Sequence, residues 1–90
     1  MNIRRIKLAL TVELMNSSDN PIGSVKELMR QFKNQVGTLR KTSESGEVVL
    51  DDNNNLKSIV LQYDRCVVNL ELVTNQYSRN QYLNKMDLAA

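Results

Sequence analysis

Residues 56–77 read LKSIVLQYDRCVVNLELVTNQY, and the architecture depends on which period is assigned to them. Leu56, Ile59, Val60, Tyr63, Cys66, Val67, Leu70, Val73 and Tyr77 recur at helical steps, and at about 100° per residue they fall on one broad arc of a helix. On that reading Leu61, Val68 and Leu72 form a second stripe on roughly the opposite side, so the helix is covered on two sides: by its own core and by a partner. The competing reading is two strands, 58–63 and 66–73, because Cys66, Val68, Leu70 and Leu72 also alternate. It requires a tight turn at Asp64-Arg65 with no Gly or Asn, which hairpin turns favour. The β-branched residues lower helix propensity, yet the turn objection weighs more, and the spacing predicts one long helix over 55–77.

On the N-terminal side, residues 6–14 alternate: Ile6, Leu8, Leu10, Val12 and Leu14 share one parity, and Lys7, Ala9, Thr11 and Glu13 the other. That is the period of a half-buried strand, so a strand is expected over 3–15. Leu, Ala, Glu and Met keep a helix in competition there. A loop is expected from Asn16 to Gly23, within which Asn16-Ser17-Ser18 forms a glycosylation sequon that is incidental without a secretion signal. Ser24 with Glu27 three residues on forms a capping-box pattern. Val25, Leu28, Met29, Phe32, Val36 and Leu39 follow at helical spacing, predicting a helix over 24–40. A short strand is expected over 46–51, between polar turns at 41–46 and 52–55. Residues 78–90 are polar and read as a frayed helical tail. The expected class is helix-rich α+β in a single small domain, 1–90, with an all-α bundle or hairpin as the alternative.

Composition narrows the chemistry. The chain has 90 residues, 41% of them apolar, which makes one modest core of Leu, Val and Ile. No histidine is present, which removes the commonest general base and most transition-metal sites. Cys66 is the sole cysteine, so there is no disulfide; on the apolar arc it reads as a buried structural thiol in a reducing compartment. Asp51, Asn53 and Asn55 match the first ligand positions of an EF-hand loop, but Leu56 stands where a Gly is needed and Gln62 where a bidentate Glu is needed. Neither a Gly-rich phosphate loop nor a carboxylate pair is visible. The expectation is a protein with no catalytic residues, metal or cofactor: not an enzyme, not a membrane protein, and cytoplasmic.

The candidate contact residues are basic. Lys26, Arg30, Lys33 and Arg40 share the polar face of the 24–40 helix, with Lys41 adjacent. Residues 1–45 hold eight Lys and Arg against four Asp and Glu (+4), and residues 46–90 hold four against six (−2), which sums to the overall +2. A basic half of this kind suits an acidic protein partner or nucleic-acid phosphates, although no aromatic is interleaved for base stacking. With so small a core and no staple, association with itself, as a dimer or higher oligomer, is expected through Leu61, Val68 and Leu72.

A short acidic-ended strand, a turn, and then Leu61-x-Tyr63 with Val67 and Leu70 on a long helix resembles the C-terminal segment of flagellar rod and related axial secretion proteins, over roughly the last third of the chain. The resemblance implies a subunit whose helices assemble into a tube. The paired N-terminal helix of that family is not matched, because residues 3–15 read as a strand. Short length, Asn richness and the absence of enzyme motifs also suit a small phage or mobile-element protein. Function is therefore expected to be a non-enzymatic interaction or assembly module. A nucleic-acid-binding regulator and an axial subunit are the alternatives.

Overall fold

The structure, a computed structural model, describes residues 2–16 and 20–90, with the side chain of Asn16 left out. Ser17 and Ser18 of the sequon, and the middle of the loop expected there, lie outside the described residues. Helices α1 (Ile3–Asn16), α2 (Pro21–Gln31) and α3 (Lys33–Val36) come first. Strands β1 (Leu39–Glu44), β2 (Val48–Val49), β3 (Asn54–Tyr63), β4 (Val67–Asn75) and β5 (Gln81–Ala89) follow. All pairings are antiparallel, in the order β1-β3-β4-β5, with β2 also pairing with β3 beyond the end of β1.

This overturns the helix-rich expectation and its all-α alternative. Residues 56–77 form a hairpin, close to the two-strand reading. Ile59, Leu61 and Tyr63 of β3 and Val68, Leu70 and Leu72 of β4 are buried, as a period of two requires. The turn that argued against the hairpin is held from outside. The Asp64 amide donates to the Thr38 carbonyl at 3.2 Å, and the Arg65 amide to the Val36 carbonyl at 3.0 Å. Among the described residues only Arg79 combines a side chain with positive φ, so neither Asp64 nor Arg65 adopts the left-handed backbone that favours Gly or Asn.

Residues 3–15, expected as a strand, are helical. The alternating set divides: Ile6, Leu10 and Leu14, four apart, are buried, whereas Leu8 and Val12 are more than half exposed. The 24–40 helix starts earlier and ends sooner. Asn20 caps it, its Oδ1 accepting the Gly23 amide at 3.0 Å, with Pro21 following as the first helical residue. Ser24 is thus inside the helix and not its cap. The chain breaks at Phe32, and Arg40 and Lys41 belong to β1. The strand expected at 46–51 is confined to Val48–Val49, and the expected helical tail is β5.

The three helices lie on one face of the sheet. Ile6, Leu10 and Leu14 of α1, Val25 and Met29 of α2 and Val36 of α3 share one core with the inward residues of β3 and β4 and with Leu88 of β5. Burying a Leu or Ile side chain of this kind is worth about 1.5–3 kcal/mol. A salt bridge between Lys7 and Asp87, 3.6 Å, adds an exposed tie between α1 and β5. No helix among the described residues is long and apolar enough to cross a membrane.

The asparagines serve as turn formers. Asp51 Oδ1 accepts the Asn53 and Asn54 amides at 2.8 and 2.9 Å, and Asn75 Oδ1 accepts those of Tyr77 and Ser78 at 3.0 and 3.1 Å. The Gln76 amide donates to the Asn53 carbonyl at 2.7 Å, linking the two turns.

Candidate surfaces: a basic cleft and an uncovered sheet face

The expected association residues are placed inside the protomer. Leu61, Val68 and Leu72 each have 0% exposure and belong to the helix-covered core. Their stripe presupposed a helix. In a strand pair they lie on one face, with Leu61 opposite Val68, and that face is already occupied. With the long helix absent, the likeness to axial subunits loses the element that carried it.

The basic residues are separated into two groups. Lys26, Arg30 and Lys33, at successive positions along α2 and α3, line a cleft of about 240 Å³ together with Met29, Gly37, Thr38, Leu39 and Tyr63. Lys26 and Lys33 form no ion pair among the described residues; Arg30 faces Glu27 at 3.3 Å. Arg40 is committed elsewhere, since its guanidinium pairs with the Asp64 carboxylate. Lys41 sits on the edge strand opposite Gln62. The five residues therefore form no continuous basic stripe.

Local geometry builds the cleft. Gly37 takes φ 84°, a left-handed conformation, and a Cβ there would collide with the Asp64 side chain. The chain thereby reverses from α3 into β1 and brings Leu39 opposite Tyr63. Asp64 holds the reversal in place by accepting the Thr38 amide at 2.8 Å. The bond to Arg40, then the Thr38 amide, keep the Asp64 carboxyl below the usual range, and Asp64 in turn raises Arg40.

Tyr63 is the cleft residue that periodicity could not reveal, because the helical reading placed it on the packing arc. It is only 7% exposed, and its hydroxyl has no hydrogen-bond partner among the described residues. Among the described residues no buried polar side-chain atom is left unsatisfied, so this hydroxyl meets solvent, and Tyr63 is one of the residues lining the cleft. Burial, and then the neighbouring Cys66, push its pKa up, so the hydroxyl remains a proton donor at neutral pH. Cys66 is 2% exposed, and burial raises its thiol as well.

The second surface is the sheet face away from the helices. Cross-strand partners share a face, and the register aligns Val48, Leu56, Val73 and Tyr82 across four strands. Val73 is 2% exposed although it is not part of the helix-covered core; it lies between Leu56 and Tyr82. At the ends of the row Val48 is 58% and Tyr82 53% exposed. Ser58, Glu71 and Lys85 form a polar row beside it. No protein-family model matches this chain, and no curated protein or solved structure matches it either.

Proposed function

We propose that this chain is a non-enzymatic protein-interaction module that associates with itself through the uncovered face of its sheet, working in the cytoplasm as a small phage or mobile-element type of protein. The observation that carries the reading is the row Val48–Leu56–Val73–Tyr82. It spans three interstrand spacings of about 4.8 Å each, so the apolar row is roughly 14 Å long; it lies outside the helix-covered core and is exposed at its Val48 and Tyr82 ends. Sheets pack face to face at about 10 Å with interdigitating side chains, and a two-fold axis through the row would lay it against its own copy. The adjacent Glu71 and Lys85 carry opposite signs, which suits a self-contact in which each finds a partner. Such packing would also enlarge a core that is modest for a chain of this length.

Size-exclusion chromatography with light scattering tests this. The wild type is expected to run at twice the protomer mass at micromolar concentration. Val48→Asp combined with Tyr82→Asp, both at exposed positions, is expected to run as a folded monomer. A wild type that stays monomeric at high micromolar concentration would remove the proposal.

A further inference from the structure

We propose that the cleft between the α2–α3 helices and the start of β1 is a binding site for a small organic phosphate, with Lys26, Arg30 and Lys33 holding the phosphate and the Tyr63 hydroxyl donating to it. Three cationic side chains line one concavity, and two of them have no carboxylate partner among the described residues. Ionised donors make the shorter and stronger hydrogen bonds to phosphate oxygens. Independently, Tyr63 lines the same cleft with 7% of its surface exposed, and its hydroxyl, which has no hydrogen-bond partner among the described residues, is reached by solvent. A phenol so placed usually reaches a partner, and a phosphate oxygen bound in the cleft would take the place of water there. The C-terminal end of α2 lies close by, and its weak negative dipole is outweighed by Lys26 and Lys33, with Arg30 shared with Glu27.

The rest of the lining describes the remainder of the ligand. Leu39 and the edge of the Tyr63 ring are apolar, Met29 lies fully buried behind them, and Gly37 contributes no side chain. At about 240 Å³ the cleft is smaller than the usual drug-sized pocket of roughly 300–1,000 Å³. It suits a single phosphate on a compact apolar or aromatic body better than a polymer backbone. This site lies on the helix side, away from the Val48–Tyr82 row, so its fate is separate from that of the association surface.

Phenyl phosphate, titrated into the isotopically labelled full chain and followed by amide NMR shifts, is the test, with inorganic phosphate and phenol as separate arms. Phenyl phosphate is expected to saturate at millimolar concentration or below, with the largest shifts at Gly37, Thr38 and Leu39. Inorganic phosphate is expected to bind more weakly at the same amides, and phenol not to bind. Lys26→Gln with Lys33→Gln is expected to weaken phenyl phosphate about tenfold, in line with two partly screened charge contacts. Tyr63→Phe keeps the ring in the core and is expected to weaken it about threefold to tenfold through the lost hydroxyl. Shifts that never saturate, or affinity unchanged in either variant, would overturn the proposal, the second because diffuse surface charge would then account for the binding. Equal binding of phosphate and phenyl phosphate would overturn the assigned apolar subsite.

Discussion

Asp64 accepts the backbone amide of Thr38 at 2.8 Å, one of the bonds that join the β3–β4 turn to the start of β1. The same carboxylate pairs with Arg40, so the joint depends on charge. The folded-state pKa of Asp64 lies below its ordinary value, chiefly through Arg40. A depressed carboxylate contributes stability that is present above its unfolded pKa, about 3.9, and that disappears as pH falls through the lower folded value. Asp64→Asn is therefore expected to lower Tm by a few degrees near neutrality. The gap from the wild type should close as pH drops below about 4. Thermal unfolding of both proteins across the acid range checks the sign; a gap that widens on acidification would contradict it.

Gly37 and Gly46 provide a matched pair. Alanine at 37 must adopt a positive φ and displace the Asp64 side chain, while a Cβ at 46 meets nothing within 4 Å. Gly37→Ala is expected to cost about 1–3 kcal/mol, the range for a residue held in a sparsely populated backbone region. Gly46→Ala should stay within about 0.5 kcal/mol, as for surface changes generally. Urea unfolding of the two variants gives both figures.

Leu61 and Leu72 are core residues in the hairpin architecture. Each change to alanine is expected to cost about 2–5 kcal/mol. Leu61→Asp should abolish the cooperative unfolding transition, because it buries an unpaired charge at a position of 0% exposure. Had these side chains formed an outer helical stripe, the aspartate variants would remain folded and change only the mass of the particle. Circular dichroism together with light scattering separates the two outcomes.

Cys66 is expected to react slowly with a thiol reagent in the native protein and at the rate of a free thiol in denaturant, since its thiol is 2% exposed and its pKa is raised. Labelling before and after urea addition, read by mass, measures the protection directly. Fast native labelling would place Cys66 outside the core.

The helical part of the sequence was legible where one period stood alone. Val25, Met29 and Val36 announce a buried face, and Lys26, Arg30 and Lys33 an opposing basic one, whichever residue caps the helix. Elsewhere two periods compete, and tertiary contacts select between them. Ile6, Leu10 and Leu14 are four apart and also share a parity; the sheet, by accepting only one helical face, makes the segment a helix. The 56–77 hairpin was hidden by a turn whose Asp64 and Arg65 amides donate to the Thr38 and Val36 carbonyls, more than two dozen residues earlier. Strand β5 was hidden by a bulge. Leu72 pairs with Leu83 but Glu71 with Lys85, so Asn84 is extra and the inward residues Leu83, Met86 and Leu88 lose strict alternation. The three basic residues of the cleft could be read from helical spacing, whereas Tyr63 could not, because its place depends on the register between β1 and β3.

The packing of α1 on β5 sets an order of events during synthesis. Synthesis runs from N- to C-terminus, so Ile6, Leu10 and Leu14 are made before the strands, yet the sheet face that covers them is complete only after Leu88. The strands β3, β4 and β5 join neighbours in sequence and pair through local contacts. They have the means to assemble quickly once present, since loop-closure entropy is small for adjacent strands. Until the sheet is made, α1 has only α2 to pack against, and the part of its apolar face that the strands cover stays exposed. The apolar face of α1 thus waits on β5, the strand farthest from it in this sequence.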